Sequence, residues 1–307
     1  MARYLCAGCT GLVGSRLLLR LRERGDDVLV LSRDPGSARR RLQLPPQWGC
    51  EPWDGCRDPI DPAWCRGRDA VINLSGAGIA DKRWTRARKA ELRDSRIIST
   101  QTLAAAAEAA GVSTLISASG VGIYPSGTTP CDENAAPDNG FLGQLCQDWE
   151  QASLGPQRRV NLRMGVVLSP QGGALAKLVP RFGPLAWLGS GRQAFAWIHI
   201  DDLVAMILAA LDEPAWNGPV NAVAPAHDDL RTVISTAATC TRRWTMPFGV
   251  PGPVLALALG EMAGMLLTGA PVVPKRAQEL GFRWDYPSLE PALAACLKPD
   301  GSTRPDD

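Results

Sequence analysis

Tyr4-Leu5-Cys6-Ala7-Gly8-Cys9-Thr10-Gly11-Leu12-Val13-Gly14 stands at the start of the chain and decides its fold. Tyr4 to Ala7 is an apolar run that reads as a short buried strand. Ser15 to Glu23 carries Leu17, Leu18 and Leu21 on one helical face. Between them Gly8, Gly11 and Gly14 recur at every third position, G-x-x-G-x-x-G rather than the commoner G-x-G-x-x-G. A strand, a glycine turn and a helix make a phosphate cradle. Glycine lets the backbone turn sharply and lets a pyrophosphate approach the amides, and the helix N-terminus supplies free N–H groups and a partial positive charge. The stretch predicts a dinucleotide site in which Thr10, Leu12 and Val13 share the cradle with the three glycines. The competing reading is a tight turn that packs a helix onto a sheet.

Outward from this turn, apolar strands alternate with helices. Val28-Leu29-Val30-Leu31 reads as a strand ending at Ser32-Arg33, and Ala70-Val71-Ile72-Asn73-Leu74 as another ending at Ser75-Gly76. Further strands are expected at Leu115 to Ser119, at Val160 to Leu168 and at Val220 to Val223, with a weak one near Glu51-Pro52-Trp53 in an otherwise irregular stretch, 34–65. Helices are expected over about Thr85 to Ala110 with a break near Ser95, Gly143 to Ser153, a short one around Leu175 to Phe182, one capped by Asp201 or Asp202, and one capped by Asp228. This alternation predicts an α/β fold, a doubly wound parallel sheet with a smaller, mainly helical C-terminal lobe. The expected organisation is a dinucleotide-binding domain over 1–168, mixed segments over 169–246, a helical C-terminal unit over 247–297 and a frayed tail over 298–307.

Composition narrows the classes. Of 307 residues, 45% are apolar and 21% charged, and the net charge of +2 leaves no strong field to steer the chain to nucleic acid or a membrane. Arg39-Arg40-Arg41 reads as a solvated loop or helix face. Nine cysteines without a repeated spacing, and only two histidines, predict no metal site. Free thiols and a first strand beginning almost at Met1 predict a cytoplasmic protein. Val250 to Leu267 is apolar, but Pro251, Pro253, Gly260 and Glu261 argue against membrane insertion and for a buried amphipathic helix.

Ser32-Arg33 chooses the cofactor. In a dinucleotide fold the end of the second strand meets the adenosine ribose, where an acid favours NAD by accepting from the 2′-hydroxyl. Arg33 instead offers a permanently charged donor fork to a 2′-phosphate, and Ser32 adds a hydroxyl. NADP(H) is therefore expected, unless Arg33 merely closes a strand as a solvated charge. Asn73, Leu74, Ser75 and Gly76, small or apolar at the end of a central strand, would let the cofactor lie against the backbone, or mark a plain strand-to-loop transition.

The glycine run, Asn73-Leu74-Ser75-Gly76 and Ser117-Ala118-Ser119-Gly120-Val121-Gly122-Ile123-Tyr124 resemble the extended short-chain dehydrogenase/reductases. Cys146-Gln147-Asp148-Trp149-Glu150, Arg163-Met164-Gly165-Val166-Val167-Leu168, Gly172-Gly173-Ala174-Leu175, Gly189-Ser190-Gly191-Arg192-Gln193 and Trp197-Ile198-His199-Ile200-Asp201-Asp202-Leu203 narrow the likeness, as do Val220 to Pro225 and Pro274 to Leu297. They are similar to an atypical epimerase-like subfamily. It takes in the human family 39U member and bacterial and plastid proteins labelled SulA-like cell-division inhibitors. The resemblance covers residues 3 to about 297. It implies a Rossmann-type domain, bound NADP(H), and helix positions Glu91 and Arg96 near the cofactor, which by themselves read as a helix-surface pair.

The departure lies in catalysis. The superfamily's Tyr-x-x-x-Lys, in which Lys lowers the pKa of a proton-donating Tyr, falls on Leu142 and Cys146. Leucine carries no proton and a thiol no permanent positive charge. Ser119 keeps the family's Ser, and Tyr124 is the one phenol nearby, so these two are the candidate catalytic residues, Tyr124 being equally a packing or nicotinamide-contact residue. Arg163, Arg192 and His199 are candidate substrate ligands, against structural ion-pair roles for the arginines and a core role for the histidine. Cys146 reads as a small buried residue. Two functions follow: an NADP(H)-binding epimerase-like oxidoreductase with an atypical site, acting on an unidentified small molecule such as a nucleotide sugar, or a non-catalytic NADP(H) sensor with a regulatory protein partner, for example in cell or plastid division. No nucleic-acid partner is expected, and a homodimer is left open.

Overall fold

Strands that read as unbroken apolar runs, rather than alternating ones, must be covered on both faces, which is the condition of a parallel sheet sandwiched by helices. The computed structural model describes residues 1–57 and 59–297, so the tail expected to fray lies outside the described residues. Its elements run β1 (Arg3–Ala7), α1 (Leu12–Glu23), β2 (Asp27–Ser32), α2 (Pro35–Leu42), β3 (Gly49–Pro52), β4 (Ala70–Asn73), α3 (Arg86–Ala109), β5 (Thr114–Gly120), α4 (Phe141–Gln151), β6 (Arg158–Met164) and β7 (Val166–Leu168). There follow α5 (Ala174–Leu178), β8 (Trp197–His199), α6 (Ile200–Asp212), β9 (Gly218–Ala222), α7 (Leu230–Thr241), α8 (Gly252–Leu259), α9 (Met262–Leu267), α10 (Lys275–Glu279) and α11 (Leu289–Leu297).

Seven strands form one parallel sheet in the order β3-β2-β1-β4-β5-β6-β9. Its two faces divide β1 residue by residue. Cys6 joins Leu17, Leu18 and Leu21 of α1 and Leu203, Val204 and Ile207 of α6, while Leu5 and Ala7 join Leu103, Ala104 and Ala107 of α3. The chain leaves β1 for β2 on one side and reaches β4 on the other. The strand order therefore reverses between β1 and β4, and a crevice opens at their carboxyl ends. A second core gathers Leu168 of β7, Trp197 of β8, Leu175 of α5, Leu230, Val233 and Ile234 of α7, and Leu289 and Leu293 of α11.

Five expectations need correction. Val160 to Leu168 is two strands, because the chain leaves the main sheet at Gly165 and β7 pairs with β8 instead. A Cβ at Gly165 would stand 2.8 Å from the Ala196 carbonyl oxygen, so the crossing has no room for a side chain. Helix α3 runs through Ser95 without a break, its hydroxyl bonded to the helix carbonyl of Leu92. The stretch read as irregular contains α2, started by Asp34, whose carboxylate accepts from the Ser37 N–H, with Pro35 in the first turn. The caps of α6 and α7 are His199, two residues before Asp201, and Asp229, one residue after Asp228. Val250 to Leu267 is not one buried helix. Gly260, at φ +63, separates α8 from α9, and in α8 only Leu255 is buried, with Leu257 81% exposed. Among the described residues no helix is long and apolar enough to cross a membrane.

Asp202 ties α6 to the C-terminal segment. Its buried carboxylate accepts from the backbone N–H groups of Asp285 (2.8 Å) and Tyr286 (3.0 Å). Burial outweighs these bonds and raises its pKa to about 6. A folded-state value above the unfolded 3.8 means the native protein holds this proton more tightly, so the charged form costs stability as pH rises through about 6. In urea unfolding, wild type should lose on the order of 3 kcal/mol relative to Asp202→Asn between pH 4 and pH 7. Parallel stability curves for the two proteins would exclude this residue as the source.

Candidate functional site

The three opening glycines turn out to do different work. Gly8 has φ +73, and a Cβ there would lie 2.3 Å from the Leu74 carbonyl carbon and 2.4 Å from the Ser75 nitrogen, so the loops after β1 and β4 touch through it. Gly14 packs α1 onto the turn, since its Cβ would meet the Cys9 Cα at 2.2 Å. A Cβ on Gly11 would meet only the Gly8 carbonyl oxygen, at 3.6 Å. No atom of the described residues explains this glycine, and the space it leaves lies at the N-terminus of α1. That terminus has no side-chain cap and no acidic residue in its first turn. Ser15 N–H is the first to bond Gly11, at 2.9 Å, which leaves the N–H groups of Leu12, Val13 and Gly14 directed outward. The Thr10 carbonyl accepts from Arg41 of α2 at 2.7 Å. Sequence reasoning missed Arg41, because a run of three arginines does not say which one turns inward, and Arg39 instead bonds the Trp48 carbonyl at 2.6 Å.

At the end of β2, Ser32 Oγ donates to the Asp34 carbonyl at 3.2 Å. Arg33 is exposed, and among the described residues its guanidinium has no hydrogen-bond or ion-pair partner. The nearest acid in sequence, Asp34, is occupied as the α2 cap. At the end of β4, Asn73 points into the protein: its Nδ2 donates to Thr100 Oγ1 (2.8 Å) and its Oδ1 accepts from the Ser75 N–H (3.0 Å), which shapes the Leu74–Ser75 turn. Gly76 is exposed beside it. Behind this loop Arg96 donates to the Ala77 carbonyl at 3.0 Å, and Arg88 donates to the Gly78 carbonyl. Glu91 sits on the helix surface, paired to Arg88 at 2.7 Å, and that pairing lowers its pKa.

Ser119, Tyr124 and Arg163 meet in one network, through a carboxylate the sequence reading did not single out. Register sets Ser119, Arg163 and Asn221 side by side on β5, β6 and β9. Glu150 of α4 receives Arg163 Nε (2.8 Å), Arg163 Nη2 (2.9 Å) and Ser119 Oγ (2.8 Å). The Tyr124 hydroxyl accepts from Arg163 Nη1 (2.8 Å) and donates to Asn221 Oδ1 (2.6 Å). Burial opposes the Arg163 charge, but Glu150 more than offsets this and raises its pKa. Burial pushes the Tyr124 phenol up to about 12 against the lowering pull of Arg163. Both hydroxyls are thus held by protein groups. Leu142 lies against Gly122, whose Cβ would stand 3.3 Å from the Leu142 Cβ. Cys146 is buried, and burial raises its thiol to about 12.

His199 and Arg192 stand apart from this network. His199 Nδ1 accepts from the Asp201 N–H at 3.2 Å as the α6 cap, and its ring lies 3.8 Å from that of Tyr286. Burial lowers its pKa, so it is neutral near pH 7. Asp201 pairs with Arg16 of α1 at 2.6 Å. Arg192 is exposed next to Gly191, at φ +74, and its guanidinium has no partner among the described residues. No group of three or more metal-ligating side chains occurs among the described residues.

A parallel sheet with a glycine cradle at its switch point defines a Rossmann-type protein. Comparison with known proteins gives the family: residues 4–223 match the model of the NAD dependent epimerase/dehydratase family, and the chain belongs to it. Residues 250–296 match a domain of unknown function, DUF1731. An epimerase family protein of Mycobacterium bovis is 39% identical over 297 residues, covering 94% of this chain and 95% of that one. The chloroplastic epimerase family protein SDR39U1 homolog of Arabidopsis thaliana is 35% identical, over 95% of this chain and 85% of its own. The crystal structure of human epimerase family protein SDR39U1 with NADPH superposes with a TM-score of 0.85 at 30% identity, over 97% of this chain and 99% of that one.

The glycines make a direct test of this site. Gly14→Ala should cost about 1–3 kcal/mol, because the added methyl overlaps the backbone of the turn. Gly11→Ala should cost under about 1 kcal/mol, the difference between Ala and Gly at a helix cap. Chemical denaturation of both variants checks it, and equal losses would mean that Gly11 is structural too.

Proposed function

We propose that this chain binds NADP(H) across Gly8, Gly11 and Gly14 and works as a cofactor-holding protein without a Tyr-Lys proton relay. The observation that carries the reading is Gly11: a glycine without a structural reason, under an uncapped helix N-terminus, beside a partnerless Arg33. The NADPH in the human relative supports it. The N–H groups of Leu12, Val13 and Gly14 would hold the pyrophosphate, Ser32 and Arg33 the 2′-phosphate, and the backbone of Leu74, Ser75 and Gly76 the side of the cofactor facing β4.

NADP(H), when bound, gives or takes a hydride at its nicotinamide. Reducing a carbonyl also needs a proton at the substrate oxygen. Ser119 gives its proton to Glu150, and Tyr124 gives its own to Asn221, with a phenol pKa near 12. Neither is poised to release it near neutral pH. Leu142 has no proton to give. The role this leaves is to hold the cofactor and present its occupancy to a protein partner.

A second reading, an oxidoreductase acting on an anionic small molecule such as a nucleotide sugar, is favoured by Arg192. That exposed, partnerless guanidinium could take a substrate phosphate.

Two measurements separate these. Arg33→Ala should weaken NADPH binding about tenfold or more while leaving NADH nearly unchanged, since only NADPH offers the charge that Arg33 would meet. Equal losses would overturn the NADP(H) assignment. Stopped-flow mixing of the NADPH-loaded protein with carbonyl compounds and nucleotide sugars should then show no oxidation above the protein-free rate. Oxidation by any one of them establishes the enzyme.

A further inference from the structure

Five of the eight large apolar side chains that stand exposed among the described residues belong to one lobe: Phe182, Trp244, Phe248, Val254 and Leu257. Backbone pairing puts them on adjoining segments. Leu185 N–H donates to the Trp244 carbonyl at 3.1 Å and Val250 N–H to the Trp187 carbonyl at 2.8 Å, so 185–189 and 244–250 run side by side. Arg243 Nε donates to the Gly183 carbonyl at 3.0 Å, which brings the turn carrying Phe182 to the start of the run carrying Trp244. Phe248 follows on that run, and α8 begins just beyond it. Val254 and Leu257 stand one turn apart on α8, whose exposed residues are all apolar. Single exposed apolar residues are ordinary on a protein surface, whereas a group of them marks a place where something binds.

The same lobe is strongly basic, which the net charge of +2 for the whole chain conceals. Residues 172–200 and 230–260 share a core through Leu175, Trp187, Leu230 and Val233. Together they hold six basic residues, Lys177 and five arginines, and no aspartate or glutamate. Among the described residues only Lys177 of the six pairs with an acid, Asp81, at 3.2 Å. Arg181 lies over the Phe182 ring, 5.6 Å from its centre, and Arg242 is exposed two residues before Trp244. Unpaired arginines thus stand directly beside the exposed aromatic rings.

That charge chooses the occupant. A second copy docked about a two-fold axis would set the arginines of this face against themselves. A membrane of anionic lipids meets both needs at once. Its headgroup phosphates take the arginines, its interface takes Trp and Phe, and its acyl chains accept α8 without asking for a polar side. We infer that this lobe docks the protein on an anionic bilayer surface, with Trp244, Phe248 and Leu257 entering the interface and Arg181 and Arg242 at the headgroup phosphates. Helix α8 has eight residues, so it lies on the membrane and does not span it. The inference does not depend on what the crevice binds.

Flotation of the full chain with lipid vesicles tests it. Vesicles of phosphatidylcholine containing about one-third phosphatidylserine should bind the protein about tenfold or more tighter than pure phosphatidylcholine. Raising the salt to about 0.5 M should remove most of that difference, because it screens the headgroup charge. Arg181→Gln with Arg242→Gln, and separately Trp244→Ser with Leu257→Ser, should each weaken binding about tenfold or more. Brominated acyl chains should quench the tryptophan emission of the wild type, and the mild Trp244→Phe should remove most of that quenching, a readout that survives even if a double variant misfolds. Equal binding to the two vesicle types, unchanged binding by either folded double variant, or quenching that persists in Trp244→Phe would each overturn the inference. No binding to either vesicle also overturns it and leaves the lobe to an acidic protein. A wild type that elutes as a dimer, and that Trp244→Ser with Leu257→Ser turns into a monomer, assigns the face to a second copy and overturns it too.

Discussion

Arg163 is buried on a parallel sheet between β5 and the edge strand β9, and its neighbours are arranged to make that burial tolerable. A guanidinium removed from water needs a carboxylate in good geometry and acceptors for its remaining protons. Glu150 supplies the first through two contacts, and the Tyr124 hydroxyl and the Glu133 carbonyl supply the second. Removing one partner from such a pair costs about 3–5 kcal/mol, because the other charge is left buried alone. The network therefore holds α4 to β6, fixes the loop carrying Tyr124 and Glu133, and through Asn221 reaches the Val273 carbonyl in the C-terminal segment. It also engages the Ser119 and Tyr124 hydroxyls, each of which donates to another group of the protein.

Most of the fold was legible because its signal is local. Apolar runs such as Ala70 to Asn73 are buried at every residue, which only a two-sided sheet can satisfy. What escaped was decided by contacts remote in sequence. Val160 to Leu168 has strand character throughout, and its division at Gly165 comes from β7 pairing with β8, far along the chain. The residues of α8 are apolar on every side, so periodicity could not tell a buried helix from an exposed one. The Asp34-Pro35 start of α2 was a readable signal, passed over among the prolines and glycines around it.

The candidate site divides along the same line. The phosphate cradle depends on backbone conformation, and backbone conformation writes itself into glycine spacing. The place of Arg33 at the end of β2 was readable because the apolar run before it fixes where the strand stops. Glu150 was not, since a carboxylate on a helix says nothing about which strand residue lies opposite. Asp201 read as a helix cap and His199 as a substrate ligand or core residue, yet His199 caps α6 and Asp201 binds Arg16.

The two halves of the crevice are consequently under different constraints. Gly8 must stay glycine whether or not a ligand binds, since the loops of β1 and β4 meet through it. Among the described residues, by contrast, Gly11 leaves a free space, the Arg33 guanidinium has no partner, and Arg96 is buried without an acid. Around Ser119 the opposite holds, for the Ser119 and Tyr124 hydroxyls and the Arg163 guanidinium are already met by other groups of the protein.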